Sequence, residues 1–248
     1  MEMSWKEQYK IHTYEVDLHG FLTLPMLSKF MQECASNHAA HLGFGYSDLM
    51  EKQLIWVLIG QYIQIQALPR WNDTIVILTR PSIRDRIYFY RDFQIMDEAN
   101  TILAAATTKW LTINAETRRP HREDMHLGMD WSKYERFCDK MLDKLSPFQN
   151  LEFSADIQVK YGDLDVNEHV NQSRYIDWFW ESLPLEYHQA HRIKSIEILY
   201  SSEALYGENL QLQRTKADDK YIEFTLRRLI DNKSLCQGKT LWVPIDSP

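Results

Sequence analysis

Three polar side chains stand at alternate positions in one short segment of the chain: Asp165, Asn167 and His169. The histidine is suited to general base chemistry, because the pKa of a free imidazole lies close to neutral pH. A carboxylate nearby can orient that imidazole or attack an electrophile itself, and an amide can hold a water molecule. Asp and Asn are also favoured in turns and helix caps, which is the competing interpretation. Three such groups exceed what one cap needs, and this favours a chemical role.

An earlier segment of the chain, beginning at Asp17, aligns with this one without a gap. The aligned pairs are Asp17 with Asp165, His19 with Asn167, and Phe21 with His169. The polar set is therefore complete only in the second copy, where we expect the chemistry to lie.

The duplication extends over the whole chain. In each half an extended segment leads into an amphipathic helix and then into several strands. The apolar helical positions recur with the same spacing: Leu27, Phe30, Met31 and Cys34 in the first half, and Ile176, Phe179, Trp180 and Leu183 in the second. Later strand segments match as well, 67–75 with 202–210 and 108–110 with 240–242. The number of residues between a position in the first half and its match in the second half is smaller after the helix than at the helix. The first half therefore has extra residues between its helix and the next matched strand, which predicts a longer helix-to-strand connection there, at roughly residues 43–60.

These elements predict an α+β fold made of two repeats, each a long helix wrapped by a curved antiparallel sheet. The repeats are expected at residues 1–116 and 151–248, the second carrying the polar set. Residues 117–150 are expected to form a linker with an amphipathic helix, because their apolar residues are spaced by three and four. Those residues are Trp131, Tyr134, Phe137, Cys138, Met141, Leu142 and Leu145.

Composition excludes several classes of protein. The net charge of −7 disfavours general nucleic-acid binding, and the longest apolar run is too short to span a membrane. The first ten residues lack the features of a secretory signal, so we expect a cytoplasmic protein. Three widely separated cysteines argue against a disulfide framework and a zinc site. Two histidine pairs, His38 with His41 and His188 with His191, lack a third ligand in a recognisable pattern, so no metal or cofactor is predicted.

The run from Asp163 to Asn171, followed by Tyr175-Ile176-Asp177-Trp178 and Glu181-Ser182, resembles the active-site segment of acyl-acyl carrier protein thioesterases of the double hotdog type. A second motif of that family is an acidic residue in the pattern Tyr, two variable residues, Glu, Cys. This chain has Tyr200-Ser201-Ser202-Glu203-Ala204, so Glu203 takes the acidic place and Ala204 replaces the cysteine of plant members. A cysteine nucleophile is therefore impossible at that position.

The resemblance implies hydrolysis of the thioester of acyl-acyl carrier protein. Backbone N–H groups of the turn at residues 168–171 would bind the thioester oxygen, and His169 would act as general base on a water molecule. Glu203 or Asp165 would orient the imidazole, while Asn167 would fix the water or the thioester. In the competing scheme a carboxylate acts directly, with Asp165 as nucleophile or Glu203 as base.

The resemblance also implies a partner, an acidic carrier protein with a pantetheine-linked acyl chain. The surface that binds this carrier protein is expected among the basic residues Arg80, Arg84, Arg86, Arg118, Arg119, Arg122 and Arg174. The acyl chain is expected in an apolar slot between helix and sheet, with much of its wall from the first repeat. A monomer or a homodimer is compatible with two units in one chain.

Three other functions remain open at this point. An acyl-coenzyme A thioesterase of the same fold would differ only in its donor. A hotdog hydratase or dehydratase would also pair His with a carboxylate but would release no thiol. A silent acyl-binding module would not need a polar set restricted to one copy.

Overall fold

A computed structural model describes residues 4–122, 136–218 and 220–245. The chain divides into two compact units, residues 1–141 and residues 142–248. Strands dominate both units, and the few helices are grouped between the first and second strand of each, as the predicted α+β class requires.

The first unit has one long helix and a five-stranded antiparallel sheet. Its elements are β1 (Trp5–Lys10), α1 (Leu24–His41), α2 (Tyr46–Met50), β2 (Leu54–Ile65), β3 (Thr74–Asp85), β4 (Tyr88–Asp97) and β5 (Ile102–Asn114). The strand order across the sheet is β1-β3-β4-β5-β2. Leu27 and Met31 of α1 are buried, and Cys34 lies against the carbonyl of Ile77 on β3, so the apolar stripe of α1 covers one face of the sheet.

The second unit repeats this topology. Its elements are β6 (Phe153–Gln158), α3 (Gln172–Glu181), α4 (Leu185–Ala190), β7 (His191–Tyr200), β8 (Asn209–Arg214), β9 (Tyr221–Arg228) and β10 (Ser234–Pro244). The order β7-β10-β9-β8-β6 is the order of the first sheet read from its other edge. Register is repeated as well: Trp5 pairs with Thr79 in the first unit, and Phe153 pairs with Arg214 in the second.

The helix α3, which follows the polar segment, is fixed by an aromatic stack. The ring of Phe179 stacks on the ring of Phe224 on β9, with centroids 4.1 Å apart. Gly238 on β10 makes room for this stack, because a Cβ atom there would lie 2.3 Å from the ring of Phe224. At the other end of α3, the guanidinium of Arg214 donates to the carbonyl of Ser182 at 2.7 Å and so caps the helix.

The extra length of the first repeat lies mainly in its helix. α1 has 18 residues and α3 has 10, whereas residues 54–60 of the predicted connection belong to β2. The connection of the first unit, residues 42–53, is longer than that of the second, residues 182–190, as predicted, but it ends earlier than the predicted residue 60. α1 continues because residues 26–42 contain no proline or glycine, and Gly43, whose φ is +76°, ends the helix in the left-handed conformation that glycine favours.

The amphipathic helix predicted in the linker is absent from the part of the linker that the structure describes. Residues 136–150 contain neither helix nor strand, and Trp131 and Tyr134 lie outside the described residues. Phe137 donates its N–H to the carboxylate of Asp92 on β4, and the guanidinium of Arg136 binds the same carboxylate through two hydrogen bonds. These contacts with the sheet determine the backbone there, and helix-like spacing of apolar residues does not.

No helix in the described part of the chain is both long enough and apolar enough to cross a membrane.

Candidate active site

The predicted polar residues lie on a loop whose backbone closes on itself. The N–H of Asp165 donates to the carbonyl of His169 at 2.8 Å, and the N–H of Glu168 donates to the carbonyl of Asp165 at 3.1 Å. The first unit has the same pair of bonds, from Asp17 to Phe21 and from Gly20 to Asp17. The loop conformation is therefore a property of the repeated fold and does not depend on the polar side chains.

The side chain of Asp165 stabilises this turn. Its Oδ1 accepts the N–H of Asn167 at 2.8 Å, and Asp17 accepts the N–H of His19 at the same distance in the first unit. Stabilisation of the turn therefore explains the role of one carboxylate oxygen of Asp165. Helix capping does not account for the set, since the N-cap of α3 is Asn171, whose side chain accepts the N–H of Ser173.

His169 and Glu203 come together although they lie far apart in the chain. Nε2 of His169 lies 3.5 Å from Oε2 of Glu203, and the two side chains are 22% and 37% exposed. The backbone brings them there: the N–H of Val170 donates to the carbonyl of Ala204 at 3.0 Å, next to an antiparallel bridge between His169 and Leu205.

One ring nitrogen of His169 makes no hydrogen bond within the described chain. Its Nδ1 is buried and has no hydrogen-bond partner among the described residues. A buried polar atom without a partner costs about 1–3 kcal/mol, which a bound water or substrate atom would recover. The side-chain amide of Asn167 likewise has no partner within the described ranges, and this residue is partly exposed.

The predicted oxyanion donors at residues 168–171 are mostly occupied. The N–H groups of Glu168, Val170 and Asn171 donate within the protein, the last to the carbonyl of Asp163 at 2.9 Å. In the part of the chain that the structure describes, only the N–H of His169 among these four has no acceptor. The expectation of several donors in this turn is therefore corrected, because closing the loop and joining it to residue 204 uses three of them.

Glu168 holds the loop in a conformation that suits glycine. Its φ is +63°, and the aligned residue of the first unit is Gly20 with a φ of +76°. A residue with a Cβ atom in this region is strained by about 1–2 kcal/mol. Backbone strain of this kind is concentrated at functional sites, and here it lies one residue before His169.

The first unit has apolar side chains at the places of the two paired residues. Phe21 takes the place of His169 and forms a bridge with Arg70, whose guanidinium lies 4.2 Å from the centre of its ring. Leu68 takes the place of Glu203 when residues 67–75 are aligned with residues 202–210. The two loops therefore share a backbone conformation and differ in their chemistry.

Two models of known protein families together match most of the chain. The family model for the acyl-ACP thioesterase N-terminal domain matches residues 2–126, and that for the C-terminal domain matches residues 149–244. The chain belongs to the acyl-ACP thioesterase family. The resemblance found in the sequence is thereby confirmed.

Two curated relatives within the acyl-ACP thioesterase family are plant proteins. The chloroplastic oleoyl-acyl carrier protein thioesterase of Coriandrum sativum is 29% identical over 227 residues, which cover 83% of this chain and 61% of the relative. Oleoyl-acyl carrier protein thioesterase 2 of Arabidopsis thaliana, also chloroplastic, is 30% identical over 221 residues, covering 81% and 59%. The chain thus spans about three-fifths of the length of these relatives.

Solved structures of the family share the fold. An acyl-ACP thioesterase from Bacteroides thetaiotaomicron is 25% identical, with a TM-score of 0.81 over 97% of this chain and 98% of the other. The 12:0-ACP thioesterase from Umbellularia californica is 22% identical, with a TM-score of 0.88 over 99% of both chains. The predicted double hotdog architecture is confirmed by these matches.

The other histidines and the cysteines considered as candidate site residues pack against neighbouring parts of the fold. Nδ1 of His38 lies 2.9 Å from a guanidinium nitrogen of Arg91, and His188 packs on Trp180. Within residues 4–122, 136–218 and 220–245, no group of three or more His, Cys, Asp or Glu side chains could hold a metal ion. The three cysteines are buried, and burial raises the pKa of Cys236 to about 12, so its thiolate form is disfavoured.

Two residues of the site were missed by the sequence analysis. Glu208 and Arg228 hold the segment that carries Glu203: the carboxylate of Glu208 accepts the N–H of Leu205 at 3.0 Å, and Arg228 donates to the carbonyl of Glu203 at 2.7 Å. Alignment of the two repeats beyond the polar loop would have marked Arg228, because the corresponding residue of the first repeat is acidic.

Proposed function

We propose that this protein hydrolyses the thioester of acyl-acyl carrier protein and releases a free fatty acid. Membership of the family supports the substrate class. The observation that carries the proposal is the contact of His169 with Glu203 at 3.5 Å, in the repeat whose loop also carries the amide of Asn167, which has no partner among the described residues. The first repeat has Phe21 and Leu68 in the corresponding places, so a binding function shared by both repeats does not explain the pair.

In the proposed mechanism a water molecule attacks the thioester carbonyl carbon while the imidazole of His169 takes its proton. Glu203 orients the imidazole and stabilises the imidazolium that forms. The N–H of His169 is available to the carbonyl oxygen as it becomes negative. When the tetrahedral intermediate collapses, the carbon–sulfur bond breaks and the thiolate takes the proton from the imidazolium. The products are a carboxylic acid and the free thiol of the carrier.

The contacts of Asp165 favour the scheme in which His169 is the general base over direct attack of a carboxylate on the thioester. One oxygen of Asp165 accepts a backbone N–H in the turn, a role that Asp17 has in the first repeat without any chemistry. Asn167 is then the residue that we assign to fixing the water or the thioester, since its side-chain amide is unpaired within the described chain. Direct base catalysis by Glu203 is the alternative, and replacement of His169 with alanine tests it.

Thiol release from matched donors tests the proposed function. The wild-type protein should release thiol from palmitoyl- or oleoyl-carrier protein in a thiol-trapping assay, and more slowly from the coenzyme A thioester of the same acyl group. Faster turnover of the coenzyme A form would assign it as an acyl-coenzyme A thioesterase. Addition of water to an enoyl thioester without thiol release would instead assign a hydratase.

Charge reversal in the β3–β4 hairpin tests the predicted carrier-binding site. Arg84 and Arg86 lie at this hairpin, and both are partly or fully exposed. Replacing both with Glu should raise the KM for the acyl-carrier substrate about tenfold, because the carrier is acidic, and leave the KM for the coenzyme A form within about twofold. Two of the other predicted residues are less available: Arg80 stacks on Phe137, and Arg174 is held by Asp163 and Asp177.

The control for this experiment is Lys10→Glu, which changes charge at an exposed position at the end of β1. It should alter neither KM by more than about twofold. Equal effects of the double reversal on both donors would contradict carrier binding at the hairpin.

A further inference from the structure

The guanidinium group of Arg228 contacts the segment between β7 and β8 that carries Glu203. Nη2 of Arg228, at the end of β9, donates to the main-chain carbonyl of Glu203 at 2.7 Å. Nε of Arg228 lies 3.0 Å from Oε2 of Glu208, and Nη1 donates to Asp231 at 3.1 Å. The side chain of Arg228 is 15% exposed, and those of its partners Glu208 and Asp231 are 22% and 45% exposed.

The contacts of Arg228 extend to both sides of the Glu203–Leu205 tripeptide. Glu208, which pairs with Arg228, accepts the N–H of Leu205 at 3.0 Å. Leu205 in turn forms the bridge with His169, and the carbonyl between them, that of Ala204, accepts the N–H of Val170. A shift of this tripeptide would therefore change the distance between the Glu203 carboxylate and the imidazole.

The first repeat has the carboxylate of this turn but not the guanidinium. There the carboxylate of Asp73 accepts the N–H of Arg70 at 2.7 Å, as Glu208 does for Leu205, so the carboxylate belongs to the repeated turn. Strand register identifies the counterpart of Arg228: Ile75 pairs with Asp97 in the first sheet, and Leu210 pairs with Arg228 in the second. Within the described chain the Asp97 carboxylate binds its own hairpin, where it accepts the N–H of Thr101. The guanidinium occurs at this position only in the repeat that has the His169–Glu203 pair.

We propose that Arg228 is a positioning residue for the hydrolytic reaction, acting on Glu203 through its main-chain carbonyl. The inference rests on the proposed function. It assigns Arg228 no contact with the substrate; the guanidinium holds the peptide of Glu203 so that the carboxylate stays within reach of His169.

Kinetics of Arg228→Gln test the proposal. We expect kcat for acyl-carrier hydrolysis to fall about tenfold to hundredfold, with KM within about threefold, because a displaced carboxylate affects the reaction more than binding. Arg228→Lys should not restore kcat, since an ammonium group cannot reach all three acceptors in the same geometry. The matched control is Arg227→Gln, the preceding residue on β9, whose side chain lies near Asn232; its kcat should stay within about twofold.

A double variant distinguishes positioning from a general loss of structure. In a Glu203→Ala background, Arg228→Gln should lower kcat by less than about twofold further, because the group that it positions is gone. A full, multiplicative loss in that background would overturn the proposal, as would an Arg228→Gln enzyme with wild-type kcat.

Hydrogen exchange provides a measurement that is independent of activity. The amides of Leu205 and Val170 should exchange at least about tenfold faster in Arg228→Gln than in the wild type or in Arg227→Gln, because both bonds depend on the held segment. If the wild type released no thiol, the proposed function would fail, while this exchange result would still decide whether Arg228 holds the segment.

Should Arg228→Gln fail to fold, Glu208→Gln replaces it. The amide oxygen of that variant can still accept the N–H of Leu205 but no longer pairs with the guanidinium as a carboxylate. It should show the same effects in the same direction, and unchanged kcat together with unchanged exchange would overturn the proposal.

Discussion

Replacing His169 with alanine should lower kcat for acyl-carrier hydrolysis by about 10²–10⁴-fold, the range contributed by a positioned general base. The reason is that His169 is the only imidazole in the polar loop, residues 163–171, and that it contacts Glu203. Thiol release under saturating substrate measures the effect, and the free energy of unfolding should change little, since the loop backbone is the same where Phe21 replaces the histidine.

The matched control is His19→Ala in the loop of the first repeat. This change removes an imidazole from the same backbone conformation, two residues before the position aligned with His169. Its kcat should remain within about twofold of the wild type. If His169→Ala hydrolysed substrate at the wild-type rate, the histidine scheme would be excluded and direct base catalysis by Glu203 would take its place.

Replacing Asp92 with asparagine should lower the free energy of unfolding by about 3–5 kcal/mol, because it leaves a guanidinium buried without its counter-ion. The Asp92 side chain is fully buried, and Arg136 binds it at 3.0 and 3.2 Å while also donating to Thr107. Such a loss is a large part of the stability of a typical domain. Urea denaturation followed by tryptophan fluorescence measures it.

Asp97→Asn on the same strand is the control for this stability experiment. Asp97 accepts the N–H of Thr101 in a partly exposed hairpin, and an asparagine oxygen can accept the same bond. Its effect should stay below about 1 kcal/mol, the usual contribution of one such hydrogen bond. A change of similar size in both variants would show that the ion pair with Arg136 is not what stabilises this region.

The parts of the fold that depend on periodic patterns were predictable from the sequence. Apolar residues such as Leu27 and Phe179 recur at helical spacing in both halves, and their duplication predicts two units of the same topology. The pairing of His169 with Glu203 was predictable only through the family resemblance, since nothing in their separation along the chain implies contact.

The errors arose where long-range contacts determine the backbone. Phe137 and Leu145 have helical spacing, yet the segment is irregular because residues 136 and 137 bind the carboxylate of Asp92. Arg228 was missed for a related reason. Its role depends on the register of β8 with β9, which places it beside the carbonyl of Glu203, a residue distant in the sequence.

The shared loop backbone of the two repeats has a practical use in crystallography. In the first repeat Phe21 and Leu68 stand at the positions of His169 and Glu203, and the loop is closed by the same two backbone hydrogen bonds. An enzyme that carries His169→Phe and Glu203→Leu should therefore crystallise as an intact but inert protein. Soaked with a slowly hydrolysing acyl donor, such a crystal would trap the uncleaved thioester and reveal where the fatty chain lies.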